Sequence, residues 1–146
     1  MTLGVNDLIL IDTNVLIHWV RQDATGEHLL HEYSLNQRAE RPLLSTVVEG
    51  EIRALAKFWG WGAGKLKQLD RILGQLVRVD AGIPDVVRCY ADLYVQDRNG
   101  GRNTGQNDLW IAATARATGA ILLTTDGDFS WMHPELLQVE LIKIRP

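Results

Sequence analysis

Leu8-Ile9-Leu10-Ile11-Asp12-Thr13-Asn14-Val15-Leu16-Ile17 sets four apolar residues in a row, then an acid, then the start of a helical pattern. A short apolar run with no polar face is what a strand buried on both sides requires. Working outward, Leu43-Leu44, Leu76-Val77 with Val79, and Ile121-Leu122-Leu123 offer further short strands. Val139-Glu140-Leu141-Ile142-Lys143-Ile144 partly alternates and reads as an edge strand. Helical patterns lie between them. The spacing predicts helices over about Thr13 to Arg21, within Glu27 to Arg38, from near Thr46, over about Ala63 to Gly74, from Pro84 to about Asp97, and from Asp108 to Thr118. Pro84 suits a first helical position and Gly119 a helix end. Two of these helices meet near Phe58 through a Gly60/Gly62 turn. Strands alternating with helices imply an α/β fold with a parallel sheet covered on both faces.

The 146 residues suit one domain, 1–146, without repeats or a long linker. Hydrophobic residues make up 46% and charged residues 23%, a mixture that builds a core. The formal net charge of −3 argues against coating nucleic acid by bulk charge, yet leaves room for a local grip on a few phosphates. Cys89 is the one cysteine, so no internal disulfide or cysteine-based zinc site forms, and a reducing cytoplasmic setting is expected. It shares a stripe with Val86, Tyr90 and Leu93 and reads as core filler. No apolar run approaches the roughly 20 residues of a membrane span, and no secretion signal opens the chain.

Four carboxylates fall at special places. Asp12 follows the first strand directly, and in open α/β sheets the carboxyl ends of strands form the functional crevice. It serves equally as a cap for the next helix. Asp126 repeats the arrangement after Ile121-Leu122-Leu123-Thr124, although Asp126-Gly127 is also an ordinary turn pair. Asp128 is a further ligand, a cap before Ser130, or a solvated acid. Glu51 sits inside the stripe Val47, Val48, Ala54, Leu55, Phe58, where a carboxylate must be paired, protonated or metal-bound; a buried arginine is the other explanation. Glu49 points elsewhere and has Arg53 at i+4. Asp108 opens a helix apolar almost all round, with Asn107 as an alternative cap.

Two acids at strand ends and two on helices point to a single acidic pocket. Hard carboxylate oxygens suit Mg²⁺ or Mn²⁺ rather than zinc. The common use of such a pocket is metal-assisted phosphoryl chemistry, with water as nucleophile.

The same residues carry a family resemblance. Leu10 to Ile17 resembles the opening motif of PIN domains. Ser45-Thr46-Val47-Val48-Glu49-Gly50-Glu51-Ile52 is similar to their second, Asn107 to Ala113 to their third, and Leu123-Thr124-Thr125-Asp126-Gly127-Asp128-Phe129 to their fourth. The subgroup it most resembles is the VapC-like toxins of toxin–antitoxin modules. The resemblance implies a three-layer α/β/α fold around a central, mostly parallel sheet. It implies a Mg²⁺- or Mn²⁺-dependent endoribonuclease acting on single-stranded or looped RNA, a homodimer, and a cognate antitoxin that silences it. Asp12, Glu51, Asp108 and Asp126 carry over as metal ligands, with Asp128 sharing that work to a degree the motif leaves open. Thr13, Asn14 and Ser45 carry over as hydrogen-bonding support.

Other residues have plainer readings beside functional ones. His28 and His31 have metal-like spacing without a third ligand, and His18 and His133 stand alone. Trp59 reads as a pin in a helical hairpin, while Trp61 is open to base stacking or a partner. Arg98, Arg102 and Asn103, in a Gly-rich loop before Asp108, either meet RNA phosphates or are solvated. Two competing functions remain: a PIN-like RNA- or protein-binding module without catalysis, and a phosphorelay receiver using Asp80 and Lys143.

Overall fold

A computed structural model of the chain describes residues 3–146. The apolar run at its start forms β1 (Ile9–Ile11), with every residue buried. Successive strand side chains point to opposite faces, so full burial means that both faces of the sheet are covered. β2 (Leu43–Ser45) and β4 (Ile121–Thr124) are buried in the same way. β3 (Val77–Val79) and β5 (Val139–Leu141) are more open and lie at the two edges. The strand order is β3-β2-β1-β4-β5, and every neighbouring pair runs parallel. The chain moves from β1 out to β2 and β3, then crosses back to β4 on the other side of β1. The order therefore reverses between β1 and β4, where Ile11 faces Leu123 across the pair. That reversal opens a crevice beyond the carboxyl ends of the two strands.

Six α-helices connect the strands: α1 (Thr13–Arg21), α2 (Ala24–Tyr33), α3 (Thr46–Phe58), α4 (Ala63–Leu73), α5 (Pro84–Asn99) and α6 (Gln106–Thr118). A 3₁₀ helix, Gly127–Met132, follows β4. The predicted α/β architecture is thus observed, and β5 is the edge strand expected, ending at Leu141 rather than Ile144. α6 buries Leu109, Ile111, Ala112, Ala113, Thr114 and Ala115, in keeping with its nearly all-round apolar sequence. Gly60, at φ 67, turns the chain between α3 and α4, and Trp61 N–H closes that turn on the Ala56 carbonyl at 3.0 Å.

α2 starts and ends earlier than its apolar pattern predicts. Asp23 caps it by accepting from Gly26 N–H at 2.9 Å and shares a 2.7 Å hydrogen bond with His18 Nδ1. Ser34, at φ 50, ends it. Arg38 then ties the following loop to the carbonyls of Tyr33, Gly4 and Asp7. α1 and α2 approach so closely that a Cβ on Gly26 would lie 2.1 Å from the His18 carbonyl oxygen.

Helix propensity alone makes Gly→Ala favourable in a helix by about 1 kcal/mol. Here the clash is with backbone, which cannot swing aside. Gly26→Ala is therefore expected to lower stability by about 2 kcal/mol or more, read as a fall in the urea midpoint at unchanged slope. A rise in the midpoint would show that the two helices are not in contact there.

Candidate active site

β1 delivers Asp12 to the crevice, and the same residue caps α1, so both roles read from the sequence are realised. Its Oδ1 accepts from Thr13 N–H at 2.8 Å; its Oδ2 accepts from Thr124 Oγ1 at 2.7 Å and Asn14 Nδ2 at 3.1 Å. Only 4% of Asp12 is exposed. Burial pushes its carboxyl above the ordinary range, the hydrogen bonds from Thr124, Thr13 and Asn14 work in the opposite sense, and the charge of Glu51 adds to the rise.

Glu51 arrives from the second turn of α3. The core stripe of this helix is Val48, Ile52 and Ala56, with Val47, Glu51 and Leu55 half-buried on its flank. The expected stripe was placed one residue off: Ala54 is exposed, and Phe58 is 86% exposed. Glu51 therefore borders the core instead of sitting within it, and it faces the crevice. Thr13 Oγ1 donates to its Oε1 at 2.8 Å and Asn107 Nδ2 to its Oε2 at 3.1 Å. No arginine holds it. The arginines go to Glu49, which Arg78 and Arg53 together hold below the usual carboxylate range.

Asp108, from the first turn of α6, meets Asp126 and Asp128 from the segment after β4. One carboxylate oxygen from each of the three lies within 4.8 Å of the others. Asp126 caps the 3₁₀ helix by accepting from Asp128 N–H at 2.9 Å, and its own N–H donates to Thr124 Oγ1 at 3.0 Å. Asn14 Oδ1 accepts from Thr125 N–H at 2.9 Å, tying α1 to the same segment. Burial first, and then the charges of Asp12, Asp126, Glu51 and Asp128, push the Asp108 carboxyl up to about 6. Of the five predicted acids, Asp108, Asp126 and Asp128 meet, while Asp12 and Glu51 lie near enough for their charges to act on Asp108. Ser45, fully buried, lies further back: it accepts from Val47 N–H at 3.1 Å and fixes the start of α3.

Other candidates fall outside the pocket. His18 is bound to Asp23, His133 Nδ1 accepts from Val139 N–H, and His28 lies beside Arg145. Cys89 is half-buried against the core. Trp61 packs on the core while Trp59 is 43% exposed, so Trp61 is the one that pins the hairpin. Arg98 pairs with Asp97 and lies over Tyr94. Asp80 follows edge strand β3, two strands from β1, and accepts from Gly82 N–H in a turn. The receiver reading, which needs its acceptor on a central strand, is overturned. Sequence reasoning missed Thr124, whose hydroxyl joins Asp12 to Asp126, and Asp97, a fully buried acid that accepts from Thr104 N–H at 3.2 Å. The signal for Asp97 was its place four residues after Leu93 on the buried stripe of α5.

The family profile of the PIN domain matches residues 9–132, which include all five acids. The chain belongs to the PIN-domain family. A VapC ribonuclease, Y4jK, from Sinorhizobium fredii is 32% identical over 127 residues, covering 82% of this chain and 87% of its own. Among solved structures, VapBC2 from Rickettsia felis bound to a promoter DNA fragment matches with TM-score 0.79 at 21% identity, over 93% of this PIN domain chain and 99% of the other. Mycobacterium tuberculosis VapC20, a sarcin-ricin-loop-cleaving toxin, matches with TM-score 0.61 at 19% identity, over 94% and 99%. The predicted PIN-like α/β/α fold is shared with these proteins.

The displaced pKa of Asp108 has a stability consequence in the metal-free PIN domain. The folded chain holds this proton more tightly than the unfolded chain, so stability rises as pH falls from about 6 to about 4, and the ionised carboxylate destabilises above that window. Asp108→Asn removes the charge. The metal-free variant is expected to be more stable than the parent at neutral pH by on the order of 1 kcal/mol, after allowance for solvent screening of a half-exposed group. The gap closes below about pH 4. Equal melting temperatures of the two proteins across this range would contradict the crowding of charge around Asp108.

Proposed function

We propose that this PIN domain is a divalent-metal-dependent endoribonuclease and the toxin of a toxin–antitoxin pair. The observation that carries the reading is the meeting of Asp108, Asp126 and Asp128 within 4.8 Å, beside the buried Asp12 and the tethered Glu51. Family membership and the likeness to a VapC ribonuclease support it. An acidic pocket repels a phosphodiester, so binding one there calls for a cation between the two. The donor set fits such an ion: the oxygens are hard, closely spaced and partly buried, which favours Mg²⁺ or Mn²⁺.

Asp108, Asp126 and Asp128 would hold the metal, with Asp12 and Glu51 completing the negative field. The bound ion supplies Lewis-acid stabilisation of the phosphoryl charge and lowers the pKa of water. The remaining tasks belong to the chain. Thr124 and Asn14 keep Asp12 aimed at the crevice. Thr13 and Asn107 spend both Glu51 oxygens on neutral donors, so it stays oriented without losing its charge to an arginine. No histidine borders the acids among the described residues, so proton transfer falls to carboxylates and water.

The antitoxin assignment rests on the structural neighbours, which include VapBC toxin–antitoxin complexes. The homodimer and the cytoplasmic site of action belong to the same reading. Among the described residues, no helix is long and apolar enough to cross a membrane.

Asp12→Asn and Asp108→Asn are each expected to reduce cleavage of single-stranded RNA by about 100-fold or more while the circular dichroism spectrum stays unchanged. Chelation of divalent ions should stop the parent enzyme, and Mg²⁺ or Mn²⁺ should restore it. Expression of the chain should arrest bacterial growth unless the small protein encoded beside it is co-expressed. Undiminished cleavage by pure Asp108→Asn protein would overturn the catalytic assignment. A parent protein that cuts no RNA with either metal would leave a binding module in place of an enzyme.

A further inference from the structure

Beside the acids lies a cleft of about 390 Å³, lined by Arg102, Asn103, Thr104, Gly105, Asp108, Asp128 and Trp131. A volume of this order accommodates a small-molecule-sized group. Asp108 and Asp128 bring the acids to this cleft. Arg102 and Trp131 line it as well, and both also line a second polar recess, beside Gln96 and His133. Arg102 is thus common to the space beside the acids and to the recess next to it.

The Arg102 guanidinium is fixed in place without being neutralised. Its carbon lies 4.0 Å from the centre of the Trp131 ring. On the backbone side it folds against Gly100: a Cβ there would lie 2.1 Å from Nη1. The backbone N–H of Arg102 donates to the Asp97 carbonyl at 2.9 Å, and the buried Asp97 carboxylate accepts from Thr104 further along the loop. Arg98 takes the charge of Asp97, which leaves none for Arg102. Among the described residues, no carboxylate pairs with the Arg102 guanidinium and no side chain accepts from it. An arginine pre-stacked on an aromatic ring, with its fork of donors unspent, binds phosphate at small conformational cost.

We propose that Arg102, seated on Trp131, is the subsite for a backbone phosphate of the RNA strand next to the one being cut. The inference rests on the ribonuclease reading above and extends it. The acids and their cation take the scissile phosphodiester, and Arg102 takes a neighbour on the strand leaving through the cleft. Contact with the Trp131 ring holds the guanidinium at the cleft with its donors free for a ligand. A phosphate contact of this kind sets register and orientation and carries no base preference. Trp131 acts through Arg102 and is a positioning residue.

The test uses the full-length protein and a fluorescein-labelled single-stranded oligoribonucleotide of mixed sequence. Binding is read by anisotropy with Ca²⁺ in place of Mg²⁺, and cleavage is read separately with Mn²⁺. Arg102→Ala is expected to weaken binding about 10-fold on every sequence tried and to reduce the slope of log affinity against log salt by about 0.7, the single-strand value for one phosphate contact. KM should rise by a similar factor while kcat changes little. Arg102→Lys should recover part of the affinity and all of the salt slope, since it keeps the charge but loses the fork. Trp131→Leu should mimic part of the Arg102→Ala defect and add nothing to it in the double variant. Mn²⁺ affinity should be the same in all variants, which separates this subsite from the metal pocket. A parent enzyme that cleaves while Arg102→Ala leaves affinity, KM and salt slope unchanged overturns the subsite and leaves the nuclease standing. A defect confined to particular bases, with an unchanged salt slope, overturns it in favour of base readout. A parent protein that neither binds nor cleaves RNA removes the ribonuclease reading and this inference together.

Discussion

Mutual repulsion among carboxylates at the carboxyl ends of β1 and β4 is the constraint around which this fold is arranged. Parallel pairing of Ile11 with Leu123 brings the ends of the two strands together, so the acids that follow them cannot avoid one another. α6 then adds Asp108 to the same space, and α3 adds Glu51. Burial and, after it, the like charges around it disfavour ionisation of Asp108, whose carboxyl rises to about 6. A fold selected only for stability would place an apolar side chain or a cation here. Perturbed carboxylates in a cleft mark a site held ready for something that brings positive charge.

The hydrogen bonds around the pocket show how the chain tolerates this arrangement. Thr13, Asn14, Thr124 and Asn107 are all neutral donors, and together they engage Asp12 and Glu51. They orient the carboxylates without cancelling their charge. Cations are spent elsewhere: Arg53 and Arg78 on Glu49, Arg98 on Asp97. Two acids of the same helix, Glu49 and Glu51, thus have opposite surroundings. The first is neutralised at the surface, and the second keeps its charge for the crevice.

Much of this was legible in the sequence because the period of burial and the position of the acids are local properties. The run at 8–11 is what a strand covered on both faces calls for, and an acid directly after such a strand lies at its carboxyl end whatever the rest of the fold does. What was less legible depended on contacts between distant segments. The stripe of α3 was read one residue off because Phe58 and Ala54 look apolar, yet the helix ends in an exposed turn and buries Ile52 instead. The start of α2 is set by Asp23 and by the approach of Gly26 to His18, which apolar periodicity does not register. Asp97 was passed over because a charged residue near a helix end is usually solvated. Its burial becomes intelligible only once the loop from Gly100 to Gly105 folds back onto it.

That loop links stability to function more tightly than the rest of the chain. Asp97 is buried, and its carboxylate is satisfied by Arg98 and Thr104, both within this segment. Its carboxylate therefore fixes the path of the backbone between α5 and α6. The two ends of that path carry opposite charges toward one cleft: Arg102 on the loop itself, Asp108 in the first turn of α6. A displacement of the loop moves both. A phosphodiester strand needs anionic groups where a cation must sit and a cation where a phosphate must sit, at a fixed separation. The buried Asp97, by tying Thr104 back to the end of α5, restrains the loop that sets that separation.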